Sequence, residues 1–192
     1  MYELLYQYFK DKTGIDKETF NFCADYFRVR KSKKNEVLHS AGEICKFNLF
    51  VNAGCVRFYS INEKGFEQTR YFAFEGMFGI ALSNLINQEP AFECIQCIEE
   101  SELLVISRED FFYLVNSVPQ VNLIYRHILE LAFNISQKRI YVWQGQSALD
   151  RLKWLLEYQP KILSRIPNKA LASYLGVTPY TLSRLKAELW GK

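Results

Sequence analysis

The densest chemistry in the chain lies between Asn168 and Lys186, where short polar residues, small residues and cations are set among leucines at helical spacing. Asn168 is suited to cap a first short helix whose inner face is Leu171, Ala172 and Leu175. Gly176 permits the positive φ that ends that helix. Thr178 followed by Pro179 is a cap with proline at the first helical position, opening a second helix with Leu182 and Leu185 inward. Ala172 stands where two helices crossing in a tight turn come close, and a larger side chain there would force them apart. Such a unit is a helix-turn-helix, and its chemistry is recognition of duplex DNA, with the second helix entering the major groove. An ordinary helical hairpin is the plain alternative.

On the reading helix Arg184 can pair bidentately with guanine, worth ~1–3 kcal/mol of discrimination, and Tyr180 and Thr181 can offer hydroxyls or apolar contact to a thymine methyl. Lys169, Lys186 and the capped backbone at Thr178 are suited to phosphates, which set register rather than sequence. The candidate DNA-contacting set is therefore Lys169, Thr178, Pro179, Tyr180, Thr181, Ser183, Arg184 and Lys186.

Charge agrees with that placement. The net charge is only +3, but from residue 148 onward eight Lys or Arg stand against three acids, so this quarter carries +5 and the remainder −2. A basic end on a mildly acidic body is the asymmetry of a sensor or dimerisation module joined to a polyanion-binding one. Composition (49% hydrophobic, 23% charged) is that of a globular protein, and no apolar run reaches membrane-spanning length. The first ten residues lack the order of a signal peptide, and five scattered cysteines, at 23, 45, 55, 94 and 97, suit a reducing compartment rather than a disulfide framework. A cytoplasmic protein is expected.

The elements that must position the helix-turn-helix are legible in the periodicity. Helical stretches open the chain, with Leu4, Leu5, Tyr8 and Phe9 on one face, then Phe20, Cys23, Ala24 and Phe27. Over residues 37–106 short alternating runs are punctuated by glycines at 42, 54, 65 and 76, predicting an antiparallel sandwich or jelly roll. Within it, residues 62–65 read as a hairpin turn. A short helix carrying Phe111, Phe112, Leu114 and Val115 ends near Pro119. A longer helix follows, in which Val121, Ile124 or Tyr125, Ile128, Leu131 or Ala132, and Ile135 repeat at alternating three and four spacing, the seam of a dimeric coiled coil. The competing reading is that this stripe covers the β-domain of its own chain.

With these residues in hand, the whole chain resembles the CRP/FNR family of regulators. The resemblance rests on Ala41-Gly-Glu-Ile44, residues 52–59, Phe78-Gly79, residues 99–108 and residues 175–184, in the family's order. It implies an α+β fold: an N-terminal antiparallel β-roll with flanking helices over residues 1–119, a long dimerisation helix over 120–145, and a C-terminal winged helix-turn-helix over 146–192. It also implies a homodimer on a pseudo-palindromic operator, with RNA polymerase and a small-molecule effector as further candidate partners. Two departures limit the inheritance. Cyclic-nucleotide-binding members place a glutamate after the glycine of the phosphate cassette and an arginine about ten residues on; here Ile80 follows Gly79, and Pro90 or Ala91 takes the arginine position. With no Lys or Arg between Gly76 and Cys97, a buried phosphate would lack a counter-charge, at a cost of several kcal/mol, so cyclic AMP is not expected. The pocket is left empty, collapsed, or adapted to an apolar ligand near Phe78, Gly79, Ile80, Leu82, Pro90 and Ala91. Secondly, Pro179 and Tyr180 stand where the best-known activator of the family reads its site with arginine and glutamate, so a different DNA site is expected. The segment from 160 to 167 leaves room only for a small wing.

No cofactor is expected. An iron-sulfur cluster needs about four converging thiolates, whereas Cys94 and Cys97 sit three apart in a predicted strand. His39 and His127 read as surface or interface groups, and two distant histidines cannot build the metal centre of a jelly-roll enzyme, so no enzymatic activity is expected. The alternative to a DNA-bound regulator is an interaction module gated by an unknown apolar ligand or protein partner and silent toward DNA when ligand-free.

Overall fold

The structure is a computed structural model and describes residues 1–79, 81 and 86–191. It packs as two compact units, residues 1–58 with 72–130, and residues 59–71 with 131–192.

The first unit opens with helices α1 (Glu3–Thr13) and α2 (Lys17–Ala24). Asp16 starts α2, its carboxylate accepting from Thr19 N–H at 2.8 Å and from the Thr19 hydroxyl at 2.7 Å. Among the described residues eight strands follow: β1 (Arg28–Ser32), β2 (Val37–His39), β3 (Phe47–Ala53), β4 (Val56–Ile61), β5 (Glu67–Ala73), β6 (Phe78–Gly79), β7 (Cys94–Cys97) and β8 (Ser101–Ser107). They form two four-stranded sheets in the orders β1-β8-β3-β6 and β2-β7-β4-β5. In the first sheet β1 pairs antiparallel with β8 from Arg28↔Val105 to Ser32↔Ser101, and β3 with β8 from Phe47↔Ser107. The predicted turn forms: Asn62 N–H donates to Phe66 O at 3.0 Å and Gly65 N–H to Asn62 O at 2.9 Å.

Alternation along the strands divides the buried side chains. Leu49 of β3 points the way Gly79 does, whereas Phe50, Leu104 and Ile106 face a core shared with helices. That core collects Leu5 and Phe9 of α1, Phe20, Cys23 and Ala24 of α2, and Phe111, Leu114 and Val115 of α3 (Arg108–Ser117). Ser107 caps α3 by accepting from Asp110 N–H at 3.0 Å. Of the opening residues, Leu4 is exposed.

Helix α4 (Pro119–Gly145) corrects the expected dimer seam. Val121, Ile124 and Ile128 are buried in the first unit's own core, with Tyr125 packed against it. Of the rest of the stripe, Leu131 and Ala132 are exposed and Ile135 is half-buried. The physical reason is that the N-terminal helices and the sheet leave an apolar face that the beginning of α4 closes, so a seam-like spacing is used up within one chain. Exposed apolar side chains on α4 lie elsewhere, at Leu123, Phe133, Ile140 and Tyr141 as well as Leu131.

The second unit holds the end of α4, the tip of the β4–β5 hairpin, and helices α5 (Ala148–Tyr158), α6 (Ile162–Arg165), α7 (Asn168–Leu175) and α8 (Pro179–Leu189). The segment expected as a small wing carries the single-turn helix α6, and the regular elements described after residue 145 are helices.

Candidate nucleic-acid interface

Local sequence signals build α7 and α8 much as their residue types require, with one exception. Asn168 is not the cap of α7: the capping position is Pro167, and Asn168 is the first helical residue. Its amide oxygen instead accepts from Lys186 Nζ at 2.6 Å, tying the start of α7 to α8. Leu171, Ala172 and Leu175 are buried, and Gly176 ends the helix at φ 70°, as expected. Arg151 of α5 donates to the carbonyl of Leu175 at 2.9 Å, serving a helix end whose last carbonyls have no helical partner. Thr178 caps α8, accepting from Thr181 N–H at 3.1 Å, and Pro179 follows in the first turn. Leu182 is fully buried and Leu185 half-buried.

The outer face of α8 presents Pro179, Tyr180, Ser183, Arg184 and Ala187 to solvent. Several of the expected contact residues already have partners. The Ser183 hydroxyl donates to Pro179 O at 3.0 Å, and the Thr178 and Thr181 hydroxyls lie 2.9 Å apart. Lys186 is engaged by Asn168, and partial burial pushes its pKa below the usual lysine range. Lys169 lies 3.4 Å from Glu67 on the hairpin. Tyr180, at 74% exposure, and Arg184 project from this face. Ala187, one helical repeat beyond Tyr180, joins the stripe and was missed; the spacing 180, 184, 187 held the signal.

Sequence reasoning also missed what supports the unit from beneath. Trp143 of α4 packs edge-on against Trp154 of α5 and Tyr174 of α7, each with ring centroids 5.8 Å apart, and Trp154 stacks on Tyr158. The Arg139 guanidinium lies 4.9 Å from the centre of the Trp143 ring and 4.7 Å from that of Tyr174. Burial raises the pKa of Tyr174 and Tyr158, keeping both phenols neutral. A scattered set of aromatics gives no periodic stripe, so only the folded chain shows it.

In the roll, the described residues considered for a ligand have other neighbours. The Phe78 ring belongs to the helix-lined core, with centroids 5.1 Å from Phe50 and 5.5 Å from Tyr8. Gly79 is closely approached: a Cβ there would stand 2.7 Å from Leu49 Cδ1 and 2.9 Å from Phe58 Cζ. Ala91 is buried and its N–H donates to Glu43 O at 2.8 Å, while Pro90 is exposed. Ile80 and Leu82 lie outside the described residues. Two charged side chains, Arg57 and Glu93, are buried in the first unit, the second inside the segment empty of Lys and Arg.

The five cysteines are free and buried; burial pushes the Cys23 thiol up to about 11 and raises Cys45 and Cys97 as well. His39, expected as a surface group, is buried, its Nδ1 3.8 Å from a Glu43 carboxylate oxygen, and desolvation lowers its pKa from 6.5. His127 is half-buried with its ring 6.4 Å from that of Tyr8. Among the described residues no group of His, Cys, Asp and Glu could hold a metal ion, and no helix is long and apolar enough to cross a membrane.

A roll of two antiparallel sheets, a long helix and a helix-turn-helix define the class, and the comparisons agree. Residues 29–117 match the cyclic nucleotide-binding domain family, and the chain has the fold of the CRP/FNR transcription regulators. FixK2 from Bradyrhizobium japonicum is 17% identical, with 86% of this chain and 85% of that one covered and a TM-score of 0.74. A regulator assigned to the CRP/FNR family from Eubacterium rectale is 18% identical over 96% and 89% of the two chains, at a TM-score of 0.73. The catabolite activator protein of Thermus thermophilus is 21% identical over 93% and 85%, at 0.60. A search of the curated proteins gives no significant match.

Proposed function

We propose that this chain is a sequence-specific DNA-binding transcription regulator that acts as a homodimer on a pseudo-palindromic operator. The observation that carries the reading is α8: it is capped by Thr178, anchored by buried Leu182, tied to α7 by Lys186, and projects Tyr180 and Arg184. Arg184 reads a guanine, Tyr180 and Ala187 contact the neighbouring base edges, and Lys169 approaches a phosphate. Lys186 acts by holding the two helices together rather than by binding a phosphate.

The second copy docks on the later half of α4. Phe133, 64% exposed, and Ile140, 47% exposed, stand one heptad apart, the spacing at which parallel helices interlock. A two-fold axis along this helix would present two copies of α8 about one DNA turn, ~34 Å, apart. The roll binds no cyclic nucleotide through the family's phosphate cassette, because the arginine position holds Pro90 or Ala91 and the space at Gly79 is filled by Leu49 and Phe58.

Selection of bound sequences from random duplex DNA with the purified protein, at low and then physiological salt, tests the reading. A palindromic motif whose binding weakens steeply with salt is the expected result. No enrichment at either salt overturns it, and saturable cyclic AMP binding in a calorimetric titration overturns the statement about the cassette.

A further inference from the structure

Strand β5 ends the sheet order β2-β7-β4-β5, and strand edges leave backbone carbonyls in need of a partner. In the second unit Arg139, near the end of α4, meets that need, and the side chain of Thr69 bonds to the helix-turn-helix. The buried Thr69 hydroxyl meets Ser173 Oγ of α7 and lies 3.3 Å from the Ala170 carbonyl. Both hydroxyls reach the same acceptor, Thr69 Oγ1 at 3.3 Å and Ser173 Oγ at 2.9 Å from Ala170 O, and either one can supply the proton shared between them. One step along α7, Tyr174 and the Trp143 ring that meets it edge-on both lie against the Arg139 guanidinium. The same guanidinium donates to the carbonyls of Thr69, at 3.3 Å, and Arg70. Three elements distant in sequence thus meet at Thr69, Arg139 and Ser173. None of these residues lies on the exposed face of α8, which stays open while the contacts are made.

We infer that Arg139, Thr69 and Ser173 form a positioning latch, which holds the helix-turn-helix against the tip of the β4–β5 hairpin in one orientation and thereby sets its affinity for DNA. The inference rests on the reading of α8 as the DNA-contacting helix and adds how that helix is regulated. A latched module meets DNA preorganised, whereas a released one must be ordered on binding, and that cost is subtracted from affinity. Since β4 and β5 connect the sheet of the roll to the tip of the hairpin, a change at its base has a route along the chain to Thr69 and, through the hydrogen bonds of Thr69, to α7. A ligand would exploit that route only by binding the latched and released states unequally.

The test uses the full chain and two independent readouts, amide hydrogen exchange and affinity for the selected duplex. The variants are Thr69→Val, Ser173→Ala, their combination, and Thr69→Ser as the conservative control. Thr69→Val is expected to speed exchange in residues 170–175, and Ser173→Ala to speed it in residues 66–71. Each lowers DNA affinity by about tenfold, and the double variant loses less than the sum of the two single losses, because the bond between the two hydroxyls is removed by either substitution. Thr69→Ser keeps the hydroxyl and stays near wild type. Arg139→Lys falls with Arg139→Gln rather than with wild type, since a lysine keeps the charge but lacks the planar fork that contacts two rings while donating to two carbonyls. Exchange that changes only around each substituted residue, affinities within twofold of wild type, or additive losses overturn the latch. If wild type enriches no duplex sequence, the DNA reading falls, and exchange alone judges the latch: coupled protection of the two segments upholds it and independent protection overturns it.

Discussion

The two halves of α4 have similar spacing of apolar residues and opposite fates. Over residues 119–130 Val121, Ile124 and Ile128 are sealed into an aromatic and aliphatic core with α1, α2, α3 and the sheet. Over residues 131–145 Phe133, Ile140 and Tyr141 face solvent, and the inward side meets a cluster of indole, phenol and guanidinium groups instead. Periodicity reports that a helix has an apolar face; which surface covers that face depends on what the rest of the chain leaves uncovered. The contrast also separates two kinds of cohesion. Both units gain by removing apolar area from water, and the second adds cation–π and edge-on aromatic contacts to a core of leucines and isoleucines.

The contrast can be broken most directly at Ile124, which is fully buried. Ile124→Ala is expected to cost ~2–5 kcal/mol in chemical unfolding, whereas Phe133→Ala changes the stability of an isolated protomer by no more than about 0.5 kcal/mol. Equal losses at the two sites would remove the distinction between the halves. The assembly carries the next effect: Phe133→Ser combined with Ile140→Ser should convert a dimer to a monomer in sedimentation velocity while the far-ultraviolet circular dichroism is kept. A variant that stays dimeric would place the partner elsewhere. Arg184→Ala should lower affinity by ~1–3 kcal/mol and relax preference at one base pair per half-site, read by competition binding, with stability unchanged. Ser183→Ala, whose hydroxyl is spent on Pro179 O, should do much less.

The smallest expected effect sharpens the first unit alone. Burial depresses the pKa of His39 below its ordinary 6.5, so below that value the unfolded chain takes up a proton more readily than the folded one. Its contribution is therefore present above pH 6.5 and is lost as pH falls from 6.5 through the depressed folded value. The slope of unfolding free energy against pH in that window should flatten in His39→Gln. Tryptophan fluorescence offers the complementary view, because Trp143, Trp154 and Trp190 all lie in the second unit.

Much of this protein is local and was legible as residue type and spacing. Thr178-Pro179, Gly176 and the leucines of α7 and α8 mark their helices because caps, turns and buried faces are decided within a few residues. The alternation of residues 37–106 foretold antiparallel sheets, and the Asn62–Gly65 turn closed as its residues require. Asn168 shows where local reasoning stops: as a cap it needed only its neighbours, but a lysine 18 positions away claimed its oxygen. The surface histidine at 39 became a buried one for the same reason, since burial is settled by distant segments. Sequence by itself determined the element types, the basic end and the absence of Lys and Arg between Gly76 and Cys97, all of which are properties of short stretches. Tertiary structure alone decided which face of α4 is free, where Phe78 points, and that Thr69, Arg139 and Ser173 meet, because each depends on surfaces formed by residues far apart in the chain.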